Sequence, residues 1–225
     1  FAYVFGGSID IPGGSYREFL MAGIFAQTVV FGATFTGAGL AEDMQKGLIN
    51  RFRSLPMSRA AVVAGRTASD VIYNALSITM MSLAGLLVGW RIRGSVLDAI
   101  AGYFLLLFFS YAFSWVMACI GLIVPAPEVV NNASFVVLFP MTFIANTFVP
   151  SDNLPSGLRH FAEWNPVSTL THAVRVRFGN IPAGTPEPTA WPLQHAAPYS
   201  LACAVLLIVV FAPLATRLYR RAGAR

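Results

Sequence analysis

The sequence predicts an all-α polytopic membrane protein, and three observations carry that prediction. Of 225 residues, 56% are hydrophobic and only 11% are charged, against roughly 25% charged in soluble domains. Mean hydropathy is +0.65. The apolar residues also gather into uninterrupted runs, and about 20 helical residues suffice to cross a hydrocarbon core of about 30 Å. Residues 1–225 read as a single membrane domain without internal repeats or low-complexity segments.

The chain opens on FAYVF and turns abruptly to GGSIDIPGG, so residues 1–5 read as the end of a truncated first span, with a helix and an N-terminal tail expected before it. No basic stretch precedes the apolar one, which argues against a secretory signal. Residues 19–41 carry no ionisable side chain and form the first complete span. Their small residues, Gly23, Gly32, Ala33, Gly37, Ala38 and Gly39, either admit a neighbouring helix or are merely tolerated in lipid. A charged island, residues 42–66, follows. The second span covers 71–88, with Asp70 and Asn74 at its beginning and Trp90 at its end as an interfacial anchor. After a short WRIRGS turn, the third span covers 100–124 and ends at the helix breaker PAPE. Residues 129–149 form the fourth, carrying Asn131, Asn132, Pro140 and Asn146. Residues 150–198 are too polar for a span and too apolar for a linker; the last span covers 201–215, before a basic tail.

The net charge of +5 does not point to nucleic acid, because the basic residues stand at the ends of apolar runs rather than in an aromatic-interleaved patch. Cys119 and Cys203 both lie inside apolar runs, which leaves neither a disulfide framework nor metal-ligand spacing. Orientation follows from Lys and Arg near span ends. The island and tail hold Lys46, Arg51, Arg53, Arg59, Arg66, Arg217, Arg220, Arg221 and Arg225; the opposite face holds Arg17, Arg91, Arg93, Arg159, Arg175 and Arg177. Nine against six favours the island inside.

Several function classes are disfavoured. Asp70, Asp98 and Glu128 all sit near span ends, so no proton relay is expected at membrane depth. No G-x-x-x-x-G-K-[ST] loop is present to bind ATP, so energy for uphill movement has to come from a partner. Ser168 stands four residues before His172, one helical turn, but no G-x-S-x-G elbow accompanies them. His160, His172 and His195 also lack H-E-x-x-H spacing, and neither catalysis nor a metal site is expected.

The island has its own pattern. Met44, Leu48, Ile49 and Phe52 recur at helical spacing, with Asp43, Lys46, Asn50 and Arg53 on the other face, which predicts an amphipathic helix over 42–53 ended by Pro56. Such a helix either lies in the headgroups as an anchor or docks in a groove on a soluble protein. Downstream, Phe135, Phe139 and Phe143 share one helical face, either lining a route for lipophilic cargo or packing against lipid and helices.

Glu42, Gly47, Arg51, Phe52, the Leu55-Pro56 step, Ser58-Arg59 and Gly65-Arg66, together with LFPMTFIANTFVP, Leu154-Pro155 and NPVSTLTHAVR, resemble the paired signatures of type-2 ABC exporter permeases, most nearly the daunorubicin-resistance-type drug permeases. The resemblance implies six spans in the full chain, of which five complete ones are visible, in a bacterial plasma membrane. It implies two permease chains, as a homo- or heterodimer, with ATP and Mg²⁺ bound on separate cytoplasmic ATPase subunits and no cofactor on this chain. On that resemblance Glu42, Gly47, Arg51, Phe52, Pro56 and Arg59 would couple to the ATPase, with Gly47 allowing close backbone approach. Phe135, Phe139, Phe143 and Asn146 would line the substrate pathway, and Pro150, Pro155, Asn165, Pro166 and Arg175 would belong to an outer re-entrant gate. The cargo expected is a hydrophobic or amphipathic compound. Polysaccharide export and a non-transporting scaffold that recruits a soluble partner stand as the alternatives.

Overall fold

The computed structural model describes residues 15–47, 59–124, 126–148, 154–181, 185 and 187–222. Those residues are helical almost throughout, in the order α1 (Tyr16–Gly32), α2 (Thr34–Gln45), α3 (Arg59–Val88), α4 (Val96–Ile123), α5 (Pro127–Ile144), α6 (Ser156–Trp164), α7 (Pro166–Phe178), α8 (Trp191–Gln194) and α9 (Ala196–Ala222). Five helical stretches are long and apolar enough to cross a membrane: Tyr16–Gln45, Ala61–Val88, Val96–Ile123, Pro127–Ile144 and Ala196–Arg221. The expected all-α polytopic class is what the chain adopts.

The first span is α1 and α2 end to end, hinged at Ala33. At 1.5 Å per residue its 30 residues reach about 45 Å, well beyond a core of about 30 Å, so its charged end projects past the apolar region. The glycines of this span are contact points. A Cβ on Gly23 would collide with the Thr147 backbone, and one on Gly121 of α4 with the Gly37 carbonyl. Small residues here set how closely the backbones cross.

The longest helices enclose one core. Phe25, Trp90, Tyr103 and Phe178 pack edge to face or tilted, with Phe25 and Trp90 centroids 5.3 Å apart. Trp90 is only 1% exposed and donates its indole N–H to Asn180 Oδ1 at 2.8 Å. It is therefore a core residue and not the interfacial anchor its position at a span end suggested. A second cluster, Leu40, Val63, Trp115, Ala118, Cys119, Leu122, Ala215 and Tyr219, gathers the ends of α2, α4 and α9 with the start of α3. That cluster places the island and the tail at one end of the bundle.

Boundaries shift from the sequence expectation for identifiable reasons. α3 starts at Arg59, twelve residues before the charge-free run, because helix length follows packing rather than absence of charge. α5 stops at Ile144, where Ala145 turns extended at ψ 160°. α9 begins at Ala196, with Pro198 accommodated in its first turn, where its missing N–H is no loss. Of the amphipathic helix expected over 42–53, residues 48–53 lie outside the described residues. Glu42 to Gln45 are the last turn of α2, and Gly47 ends it at φ +67°, a conformation that favours glycine.

Candidate functional site

At the end of the bundle opposite the island, residues 145–148 leave the helix while still enclosed by protein. Unpaired backbone there is tolerated only where the protein itself supplies partners, and it does. Asn165 Nδ2 donates to the Met141 carbonyl at 2.7 Å, and Thr147 Oγ1 to the Thr142 carbonyl at 2.5 Å. The Asn146 amide donates to Ser168 Oγ at 3.0 Å. Arg175 Nη2 donates to the Thr147 carbonyl at 3.0 Å, and the Tyr16 hydroxyl to the Phe148 carbonyl at 3.3 Å. α1 and α7 thus hold the irregular end of α5 by its backbone.

Arg175 is the centre of this outer cap. It is 2% exposed, donates Nε to the Phe19 carbonyl at 2.9 Å, and lies 3.4 Å over the Phe19 ring. No carboxylate pairs with it among the described residues, and its Nη1 has no hydrogen-bond partner. Burial pushes the guanidinium down to about 9, so it stays charged at neutral pH. Two carbonyl dipoles and an aromatic face carry that charge.

The Asn165-Pro166 pair builds the helix that presents Arg175. Asn165 is the N-cap of α7, accepting from the Val167 amide at 2.9 Å, and Pro166 occupies the first turn, where it forfeits no hydrogen bond. Pro155 caps α6 in the same extended conformation. Asn165 and Pro166 stand at the start of α7 and Arg175 near its end, the side chains of Asn165 and Arg175 each holding a different carbonyl of the cap, while Pro150 lies outside the described residues. Tyr16, Thr147 and Ser168 complete the cap and were not singled out for it; nothing marks a hydroxyl as a backbone partner until the two chain segments meet. Ser168 is committed to the Asn146 amide, and burial with neighbouring Arg175 pushes His172 down to about 4, leaving it neutral.

The phenylalanine series does share one face. Phe135 and Phe139 stack at 5.2 Å and Phe139 and Phe143 at 4.2 Å, and the file extends to Phe31 at 5.9 Å and Phe148 at 5.0 Å. Phe135, Phe139 and Phe143 remain 55%, 39% and 43% exposed, so this face looks out of the chain. Asn146 does not belong to it. It is 8% exposed and turned toward α7, because the helix that would carry the periodicity onward has ended.

At the island end, Glu42 and Lys46 are exposed and paired with each other, with Lys46 held above its usual range by that pairing. Among the described residues nothing lies within 4 Å of a Cβ built on Gly47, whose φ of +67° lets the chain turn at the end of α2. Arg51, Phe52 and Pro56 lie outside the described residues, and Arg59 is placed only as the first residue of α3.

A model of the ABC-2 type transporter family matches residues 1–178. The chain belongs to the ABC-2 type transporter family. This permease is 32% identical over 224 residues to the daunorubicin resistance ABC transporter permease protein DrrB1 of Streptomyces coeruleorubidus, covering 100% of the chain and 76% of that relative. It is 23% identical over 146 residues to a probable doxorubicin resistance ABC transporter permease protein, DrrC, of Mycobacterium tuberculosis, covering 65% of the chain and 52% of the relative. The permease fold is thus shared with proteins named for drug resistance.

Proposed function

We propose that this permease exports a hydrophobic or amphipathic compound, driven by ATP hydrolysed on separate cytoplasmic ATPase subunits that dock on residues 42–66. The full-length similarity to a daunorubicin resistance permease carries this reading. The island faces the cytoplasm in it. The opposing arginines do not argue otherwise, since each has a job inside the folded chain: Arg93, Arg159 and Arg177 pair with Glu18, Glu163 and Asp98. Arg17, Arg91 and Arg175 donate to backbone carbonyls.

In the cycle, Glu42, Gly47, Arg51, Phe52, Pro56 and Arg59 receive the ATPase motion. A second permease copy faces the phenylalanine file, and cargo passes along Phe135, Phe139 and Phe143. The outer cap around Arg175 closes the exit between cycles. The test is co-purification with candidate ABC ATPase subunits from the source organism, then transport of an anthracycline into inverted vesicles of a bacterial inner membrane. ATP-dependent uptake by vesicles holding both proteins is expected. Co-purification without transport would favour the scaffold reading, and uptake of a lipid-linked glycan alone would favour polysaccharide export.

A further inference from the structure

The buried positions of α3 form one narrow line: Val63, Thr67, Asp70, Asn74, Ile78 and Gly85. From Val63 to Ile78 they are spaced by three or four residues, and Gly85 follows two turns later, the spacing of a coiled-coil seam. The rest of the helix looks outward, with Ile72, Tyr73, Leu76 and Met80 between 61% and 72% exposed. Three consecutive members of the seam are polar, although the helix lies in a membrane-length apolar run. Asp70 is 3% exposed and Asn74 2%, so the carboxylate expected near water at a span end is enclosed instead. α3 begins well before the apolar run, which carries Asp70 inside.

The partners of these groups descend α1–α2 in antiparallel register. The Asn74 amide oxygen lies where a Cβ on Gly32 would be, Thr36 Oγ1 donates to Asp70 Oδ2, and the Arg66 guanidinium covers Gly39. Arg66 also reaches Asp43 at 3.9 Å, while its Nε is buried without a hydrogen-bond partner. Farther from the island the same register continues with Met21 against Gly85. On the island half, both arms flanking residues 48–58 are therefore joined by the Thr36–Asp70 hydrogen bond and by the polar side chains of Asn74 and Arg66 seated on Gly32 and Gly39, and on the other half by apolar contact.

An apolar seam in lipid specifies register weakly, because side chains of similar shape can slide past one another. A buried ionisable group with a single matching partner fixes it, which is the best-attested use of such groups. We propose that the rungs Gly32–Asn74, Thr36–Asp70 and Gly39–Arg66 are the linkage that makes the two arms move together when the coupling segment is displaced. Thr36, Asp70 and Arg66 are then positioning residues for transport. This inference rests on the exporter reading above.

The full chain is reconstituted with its ATPase, and cargo moved per ATP hydrolysed is measured for Thr36→Val and Asp70→Leu, each of which removes one side of the Thr36–Asp70 hydrogen bond. Both variants are expected to retain ATPase association and hydrolysis while transport per ATP falls about fivefold, the effect of losing one interhelical polar contact. Unchanged transport per ATP in either well-folded variant overturns the linkage. Should these variants not fold, Thr36→Cys/Asp70→Cys in a background with Cys119 and Cys203 replaced by serine is joined by a short thiol cross-linker. Joined arms are expected to keep transporting; loss of transport on cross-linking means that the seam has to slide, and overturns the proposal. Absence of ATP-driven transport by the unsubstituted chain overturns the exporter reading instead.

Discussion

The two ends of this bundle are built on opposite principles. At the outer end an irregular segment, residues 145–148, is enclosed by protein, and its backbone groups are met by Tyr16, Ser168 and Arg175, while Asn165 holds the Met141 carbonyl in the last turn of α5. At the island end α2 runs out past the apolar region, and none of the described residues comes within 4 Å of a Cβ built on Gly47 just beyond it. The difference follows from where water is. Enclosed backbone has to be satisfied by the chain, whereas a helix end in water is satisfied by solvent. The outer cap thus needs side-chain partners for its backbone, and the end of α2 does not.

Arg175→Met gives the largest expected effect. The substitution removes the cost of burying a charge, but it leaves the Thr147 carbonyl without its side-chain donor in a dry site. An orphaned buried acceptor costs about 1–3 kcal/mol, and loss of the Phe19 stack adds about 1 kcal/mol. Detergent-solubilised protein is expected to melt clearly below the unsubstituted chain. Arg175→Lys should fall between them, since an ammonium has no fork to reach carbonyls of two different elements. A melting temperature for Arg175→Met equal to the unsubstituted chain would mean that the outer cap is not held by its polar contacts.

Asn165 does two jobs, and they can be separated. Asn165→Ala loses the N-cap of α7, worth about 1 kcal/mol, and the donor to the Met141 carbonyl, worth about another 1 kcal/mol. Asn165→Ser keeps a cap acceptor without adding a buried charge, and its shorter side chain loses the donor to Met141. Thermal unfolding should therefore rank the chains unsubstituted, Ser, Ala, in falling order; a value for Ser equal to the unsubstituted chain would remove the Met141 contact from the account of the cap, and equal values for Ser and Ala would remove the N-cap.

The sequence made the class and the number of complete spans legible, because hydrophobic run length is local; the Asn165-Pro166 pair stood out by resemblance, and its role as the start of α7 is seen only in the fold. The glycines of the first span were legible as candidates only; which helix each meets depends on packing. Trp90 was misread because its position at a span end resembles that of an anchor, while its partner Asn180 is 90 residues away. Asp70 was misread for a related reason. Charge-free run length marks where apolar residues begin, and α3 had already begun. The outer cap was half legible, since Arg175 and Asn165 announce themselves whereas Tyr16, Thr147 and Ser168 acquire meaning only beside the broken end of α5.

The smallest effect on stability, and the sharpest contrast with the outer cap, is expected at Gly47. Its φ of +67° disfavours a Cβ by about 1–2 kcal/mol, yet none of the described residues packs on it. Gly47→Ala should strain the end of α2 locally and leave the melting temperature of the bundle close to that of the unsubstituted chain. Its cost should appear instead where the island meets its partner, as weaker co-purification of the ATPase. Gly47→Asn, which enters the left-handed region more readily, should recover that association. A fall in melting temperature as large as that of Arg175→Met would show the island end to be built like the outer end. An unaltered ATPase association in Gly47→Ala would show that the direction in which α2 releases the chain does not matter to docking.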